Sequence, residues 1–137
     1  MALQITGLYG GLLALIGIAL AMRVGAVRVK ADVSIGDGDN VRLIQAIRRH
    51  ANWTEYVPVA VILMALLEAN GANALALHVS GILLVIFRIL HPLGIVLNEE
   101  GTDFRKVVPF EKRRLIGSFG TDVVCIALGL YSIWLFF

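Results

Sequence analysis

Long apolar runs broken by short polar gaps divide this chain into four stretches of membrane-helix length. Residues 1–22 carry no charged side chain, and Arg23 ends the run. At about 1.5 Å per residue, such a run reaches across the roughly 30 Å hydrocarbon core of a bilayer, and a first helix is predicted over 5–24. The run has no basic segment before it, and no small-residue cleavage site followed by a polar chain, so it reads as a helix rather than a signal peptide. The apolar stretch 57–67 is too short to cross alone. It must recruit the turns before it, which hold Arg48, Asn52 and Glu55, and a long helix is expected over 41–69 with its first part standing out of the membrane. Asn70-Gly71-Ala72-Asn73 then supplies a tight turn, since glycine and asparagine tolerate the left-handed conformation that ends helices. A third helix is expected over 74–96, charge-free until Arg88 and bent or frayed near His91-Pro92. The fourth is expected over 115–137, with Asp122 as its one charge.

Composition changes the picture from helices to membrane helices. Of 137 residues, 58% are hydrophobic and 16% charged, with mean hydropathy +0.84; a soluble domain is nearer one quarter charged. A soluble monomer this small could not hide so much hydrocarbon, and a disordered chain or a disulfide-stapled module is excluded on the same composition. The single cysteine, Cys125, cannot form an internal bridge. The fold class is therefore an all-α membrane protein, a four-helix bundle forming a single domain over 1–137.

All 12 Lys and Arg fall in two windows, 23–49 and 88–114. Basic loops stay in the cytoplasm, which places both termini on the non-cytoplasmic side. The pI of about 9.0 reflects this orientation, and no nucleic-acid partner is implied. Gly7 and Gly11, then Gly17, Ala21 and Gly25, set small residues one turn apart on helix one. That spacing permits close helix approach in lipid, although glycine is also common in membrane helices generally. A four-helix subunit has little room inside, so sites between subunits are expected.

Polar residues at membrane depth are costly and point to function. Gln45, Arg48, Asn52 and Glu55 are spaced 3, 4 and 3, so they share one helical face. Arg48 alone could be an orientation anchor, with Glu55 neutralising it. Asn52 and Glu55 add nothing to such an anchor, however, and the stripe as a whole reads as a binding face. A guanidinium grips carboxylates through paired hydrogen bonds, a carboxylate captures an ammonium, and an amide serves peptide groups. Together they suit a small zwitterionic peptide, of which glutathione is the abundant example. Further arginines would favour its reactive thiolate.

The segment Ala46-Ile47-Arg48-Arg49-His50-Ala51-Asn52-Trp53-Thr54-Glu55-Tyr56-Val57-Pro58 resembles the signature of the MAPEG proteins, the membrane-associated proteins in eicosanoid and glutathione metabolism. Arg48, Asn52, Glu55, Tyr56 and Pro58 match their Arg-x-x-x-Asn-x-x-Glu-Tyr-x-Pro pattern. Gly36-Asp37-Gly38 and Glu68-Ala69-Asn70-Gly71-Ala72 resemble the short bacterial branch. The resemblance implies a homotrimer in the bacterial inner membrane, with glutathione as bound co-substrate between neighbours near the cytoplasmic face. It passes glutathione binding to Arg48, Asn52 and Glu55, with Tyr56 lining the site. A basic residue at the end of helix one also contributes in the family; Arg28 is the nearest by spacing, with Arg23 as rival and a topology anchor as the alternative. Arg88, His91 and Gly94 resemble the family's end of helix three, and the resemblance adds Arg88 and His91 to the residues expected to bind glutathione. Eicosanoid synthases carry a tyrosine just after that glycine, where this chain has Ile95. The thiol-activating arginine corresponds to Arg113 or Arg114.

The function so implied is a glutathione-dependent transferase or peroxidase acting on a lipophilic electrophile or lipid peroxide. The alternative is a non-catalytic glutathione- or lipid-binding scaffold of the same fold, and a transporter ranks last because paired repeats and interrupted helices are missing. Asp122 reads as structural, paired inside the bundle. No close His, Cys and carboxylate set has zinc spacing. A calcium loop starting at Asp37 fails, because Arg48 occupies the position that needs a bidentate glutamate. Asp39 or Asn40 instead caps helix two.

Overall fold

The computed structural model describes residues 3–96, 111–135 and 137. It contains the helices α1 (Gln4–Ala31), α2 (Val41–Ala69), α3 (Ala74–Leu93) and α4 (Lys112–Trp134). Contacts between their ends establish an up-and-down bundle. At one end the Glu68 carboxylate, in the last turn of α2, accepts from the first amides of α1: Ile5 N at 2.9 Å and Thr6 N at 2.7 Å. There too, the Tyr131 hydroxyl of α4 accepts from Asn73 N at the head of α3, 3.0 Å away. At the other end, where the basic residues gather, the close of α3 meets the opening of α4, so tightly that a side chain at Gly94 would strike the Arg114 backbone.

Local chemistry explains the helix boundaries. Asn40, not Asp39, caps α2, its Oδ1 accepting from Leu43 N at 3.0 Å. Asn73 caps α3 through Ala76 N in the same way. Gly71 stands at φ +77° and lets the chain reverse between α2 and α3. Most differences from the sequence reading lie at the basic end. α1 continues seven residues past Val24, because Arg28 and Lys30 extend the helix beyond its apolar part, and it stops at Asp32 in the left-handed conformation. α3 closes at Leu93 rather than Val96. The Ile95 carbonyl accepts from Gln45 and from Arg49 of α2, which draws the chain out of the helical path. α4 begins three residues earlier than expected and ends at Trp134; Phe136, included in the expected helix, lies outside the described residues, as do Arg105 and Lys106 of the third loop.

The core is a column of Leu13, Met64, Leu67, Leu77, Leu84 and Leu128, with Ala60 admitting close approach. Leu43, Ala46 and Val27 form a smaller cluster at the basic end. Large apolar side chains cover the outside as well, among them Leu15, Ile18, Ile62, Ile86, Ile126 and Leu130. α1, α3 and α4 are long and apolar enough to cross a membrane, with mean hydropathies of 2.0, 2.0 and 1.6. An apolar exterior on a helical bundle suits a bilayer, where helices keep most backbone hydrogen bonds internal and side chains such as Glu68 serve the exposed ends.

Candidate functional site

The polar stripe of α2 divides between two surroundings. Arg48 and Glu55 are exposed on the outward face of the subunit. Continuing by steps of four and three, Val59, Ile62 and Leu66 are exposed on the same face, so charged groups at the basic end pass into an apolar seam toward the other. Asn52, between Arg48 and Glu55, is half-buried at the edge of this face. Gln45, the fourth member, turns inward and donates to the Ile95 carbonyl.

Asn52 is held from within. Arg88 of α3 is 1% exposed and is the largest fully buried side chain among those described. Its Nη1 donates to Asn52 Oδ1 at 3.0 Å and its Nη2 to the Gly117 carbonyl at 3.2 Å. The guanidinium carbon lies 5.4 Å from the centroid of the Tyr56 ring, within range of a cation–π attraction. Arg88 thus ties α2, α3 and α4 together behind the outward face. With one amide oxygen occupied by Arg88, the Asn52 side chain keeps its NH2 donors for whatever stands outside.

The other candidate residues lie at varied depths. His91 is 4% exposed, beside the close crossing of α3 and α4: an added Cβ at Gly117 would meet the His91 backbone. Arg113 and Arg114 are both exposed at the start of α4. Arg28 turns toward the loop after α1, where its Nη1 donates to Gly36 O at 2.7 Å and lies 3.4 and 3.5 Å from Val33 O and Ser34 O. Arg28 therefore holds the α1–α2 loop against the helix. Ile95 is 8% exposed, its side chain inside the subunit.

Sequence reasoning missed Arg49. It adjoins Arg48 but turns inward, donating to Ile95 O at 2.8 Å, and so fixes the end of α3 against α2. Glu68 was equally unheralded, although a carboxylate closing an apolar run was the available signal. Of the small residues on α1, Gly17 receives the Trp53 ring, whereas Gly7, Gly11 and Gly25 have nothing within 4 Å of a virtual Cβ. Of these four glycines one serves packing within the subunit and three are left open on its surface. His78 is bonded to the Tyr9 hydroxyl, Nδ1 to oxygen 2.9 Å. Asp122 and Cys125 are half-buried.

Comparison with known sequences gives a match to the MAPEG family over residues 6–134. The chain belongs to the MAPEG family. The match takes in all of α2 with Arg48, Asn52, Glu55 and Tyr56, and reaches the last residue of α4. MAPEG relatives include the inner membrane protein YecN of Escherichia coli K12 and its counterpart in the O6:H1 strain CFT073. Each is 38% identical over 91 residues, which cover 66% of this chain and 70% of theirs. No solved structure matches. MAPEG membership makes this a membrane protein of the glutathione and eicosanoid metabolism family.

Proposed function

We propose that this protein is a glutathione-dependent transferase or peroxidase of the bacterial inner membrane, acting on lipophilic electrophiles or lipid peroxides. The observation that carries the reading is the α2 face itself. Arg48 and Glu55 stand exposed where a membrane protein would ordinarily avoid charge, flanking an asparagine that a buried arginine holds in place. Arg48 pairs with a carboxylate of glutathione, Glu55 with its ammonium, and the Asn52 NH2 with a peptide carbonyl. Tyr56 lines the site. Arg88 acts from behind by fixing Asn52, and His91 by packing at the α3–α4 crossing; neither is exposed enough to reach the ligand directly. Arg28 supports the site through the loop it binds.

The thiol is served by Arg113 or Arg114. A guanidinium near the sulfur favours thiolate over thiol. In transfer, the sulfur forms a bond to the electrophilic carbon, and the displaced electron pair moves to the leaving group, where the same cation receives the developing charge. In peroxide reduction, the thiolate takes the terminal peroxide oxygen as the O–O bond breaks and the lipid alkoxide leaves to be protonated; a second glutathione thiol then displaces water from the sulfenic acid, giving the disulfide.

The seam 48–52–55–59–62–66 supports assembly as a homotrimer. Its alternating steps of four and three match the contact pattern of helices packed around a common axis, and an exposed α2 would otherwise present Arg48 and Glu55 to lipid. The inner-membrane relatives support the location. The basic end faces the cytoplasm and both termini face the other side, so glutathione enters from the cytoplasm and the lipophilic partner from the bilayer.

A second reading, a non-catalytic glutathione- or lipid-binding scaffold, is favoured by Ile95, which offers no hydroxyl and has its side chain inside the subunit. Calorimetric titration of purified protein with glutathione, alongside conjugation of a chlorodinitrobenzene-type electrophile, separates the two. Binding with turnover supports the enzyme, and binding without turnover supports the scaffold. Loss of both rejects a glutathione site.

A further inference from the structure

We infer, on the glutathione reading above, that Asp122 is a positioning residue for that site: its carboxylate is the remote counter-charge that keeps the Arg88 guanidinium on Asn52. Arg88 is 1% exposed and bonds two neutral oxygens, Asn52 Oδ1 and Gly117 O. Its Nε has no acceptor among the described residues. A cation so placed in a membrane bundle needs an opposite charge. The carboxylates on the four helices are Glu55, Glu68 and Asp122. Glu55 stands on the outward face, and Glu68 is held by the amides of Ile5 and Thr6 at the far end. Asp122, half-buried on α4, accepts no hydrogen bond among the described residues, and it is the carboxylate whose charge acts on Arg88.

Depth gives that charge a direction. α3 and α4 cross with Gly117 against His91 and Gly120 against Phe87. Arg88 stands on the basic side of Phe87, whereas Asp122, two residues past Gly120, lies about 3 Å further from the basic end than that crossing. Arg88 is five residues before Leu93, the last of α3, hence about 8 Å along the axis from the helix end. An arginine side chain can cover much of that span by turning back toward water and headgroups, and such a turn would strip the guanidinium from Asn52. Asp122 pulls the other way. Coulomb attraction falls only as the inverse of distance and is weakly screened away from water, so the carboxylate acts without contact. A contact ion pair would compete for the N–H groups that Asn52 and Gly117 now use. A carboxylate set further off balances the charge and leaves those donors in place.

The test is calorimetric titration of the full-length protein in detergent with glutathione. Asp122→Asn keeps the shape and removes the charge, and affinity is expected to fall by about fivefold or more. Asp122→Glu should recover part of the loss. In an Asn52→Ala background Asp122→Asn should cost no further affinity, because its effect passes through Asn52, whereas a packing role alone would add its cost in either background. Affinity equal to wild type in Asp122→Asn, an equal loss in Asp122→Glu, or full additivity with Asn52→Ala would overturn the role. Wild type that binds no glutathione overturns the glutathione reading, and the charge pairing is then read from thermal unfolding. Arg88→Met should destabilise less in the Asp122→Asn background than in wild type, and additive losses would overturn the pairing. If Asp122→Asn does not fold, the double variant Arg88→Met/Asp122→Asn should, since it leaves no lone cation; its failure too would overturn the pairing.

Discussion

Arg88 donates to Asn52 across 3.0 Å, from a position 1% exposed to one at the edge of the outward face. The buried guanidinium has a second acceptor in Gly117 O, while its Nε has none among the described residues. The pair links the interior of the bundle to the surface proposed to receive glutathione.

Removing that guanidinium leaves the Asn52 and Gly117 oxygens short of a donor and opens a void between three helices. Arg88→Ala should therefore destabilise the subunit by about 3 kcal/mol or more. Thermal unfolding in detergent measures it. Arg88→Lys should recover only part of the loss, because an ammonium cannot span both acceptors with the planar fork of arginine.

Arg48 is exposed at the polar end of the α2 seam, and the apolar Val59, Ile62 and Leu66 carry its packing, so Arg48→Ala should leave unfolding temperature and oligomer size unchanged. Glutathione affinity should fall by at least about tenfold, the worth of a charge-assisted hydrogen bond pair. Calorimetry and size-exclusion chromatography with light scattering read the two effects separately. If the oligomer dissociates while affinity persists in what remains assembled, Arg48 is an interface residue rather than a ligand.

The helix crossing at the basic end should be intolerant of a single methyl group. An alanine Cβ at Gly117 would lie 2.5 Å from His91 N and 2.7 Å from its Cα, and backbone cannot rotate aside as a side chain can. Gly117→Ala should cost about 2 kcal/mol or more by forcing α3 and α4 apart. Gly11→Ala, with open space around it, should leave the unfolding temperature of the subunit within about a degree of wild type, being a surface change of under about 0.5 kcal/mol.

Glu68→Ala should release the first turn of α1. Two backbone amides lose their acceptor and the helix N-terminus loses a negative charge beside it, at a cost of about 1–2 kcal/mol. Hydrogen exchange at Ile5 and Thr6 should accelerate ahead of global unfolding, and Glu68→Gln should keep part of the protection.

The four helices and the outward face of α2 were readable from the sequence because both depend on local periodicity. Apolar run length sets the span, and spacings of 3 and 4 place Arg48, Asn52 and Glu55 together whatever surrounds them. Asn40 and Asn73 were readable as turn and cap residues for the same reason. Arg48 and Arg49 were not separable: adjacent identical residues differ by one step of about 100° around the helix, and only the position of α3 decides which one is buried. Arg88 entered the candidate site through its resemblance to the family's end of helix three, which says nothing of what the side chain bonds here. Its acceptors come from residues 36 positions before it and 29 after it, a relation no local spacing encodes. The end of α3 was misplaced for a similar cause, since Gln45 and Arg49, from another helix, draw Ile95 away from its own.

The bond from Glu68 to the amides of Ile5 and Thr6 also fixes how far α1 can slide. A shift of one helical turn, about 5.4 Å, would carry both donors beyond the reach of the carboxylate. The vertical register of the opening segment is thus indexed to residues synthesised some sixty positions later, and a chain interrupted before Glu68 would leave that segment's leading end unanchored.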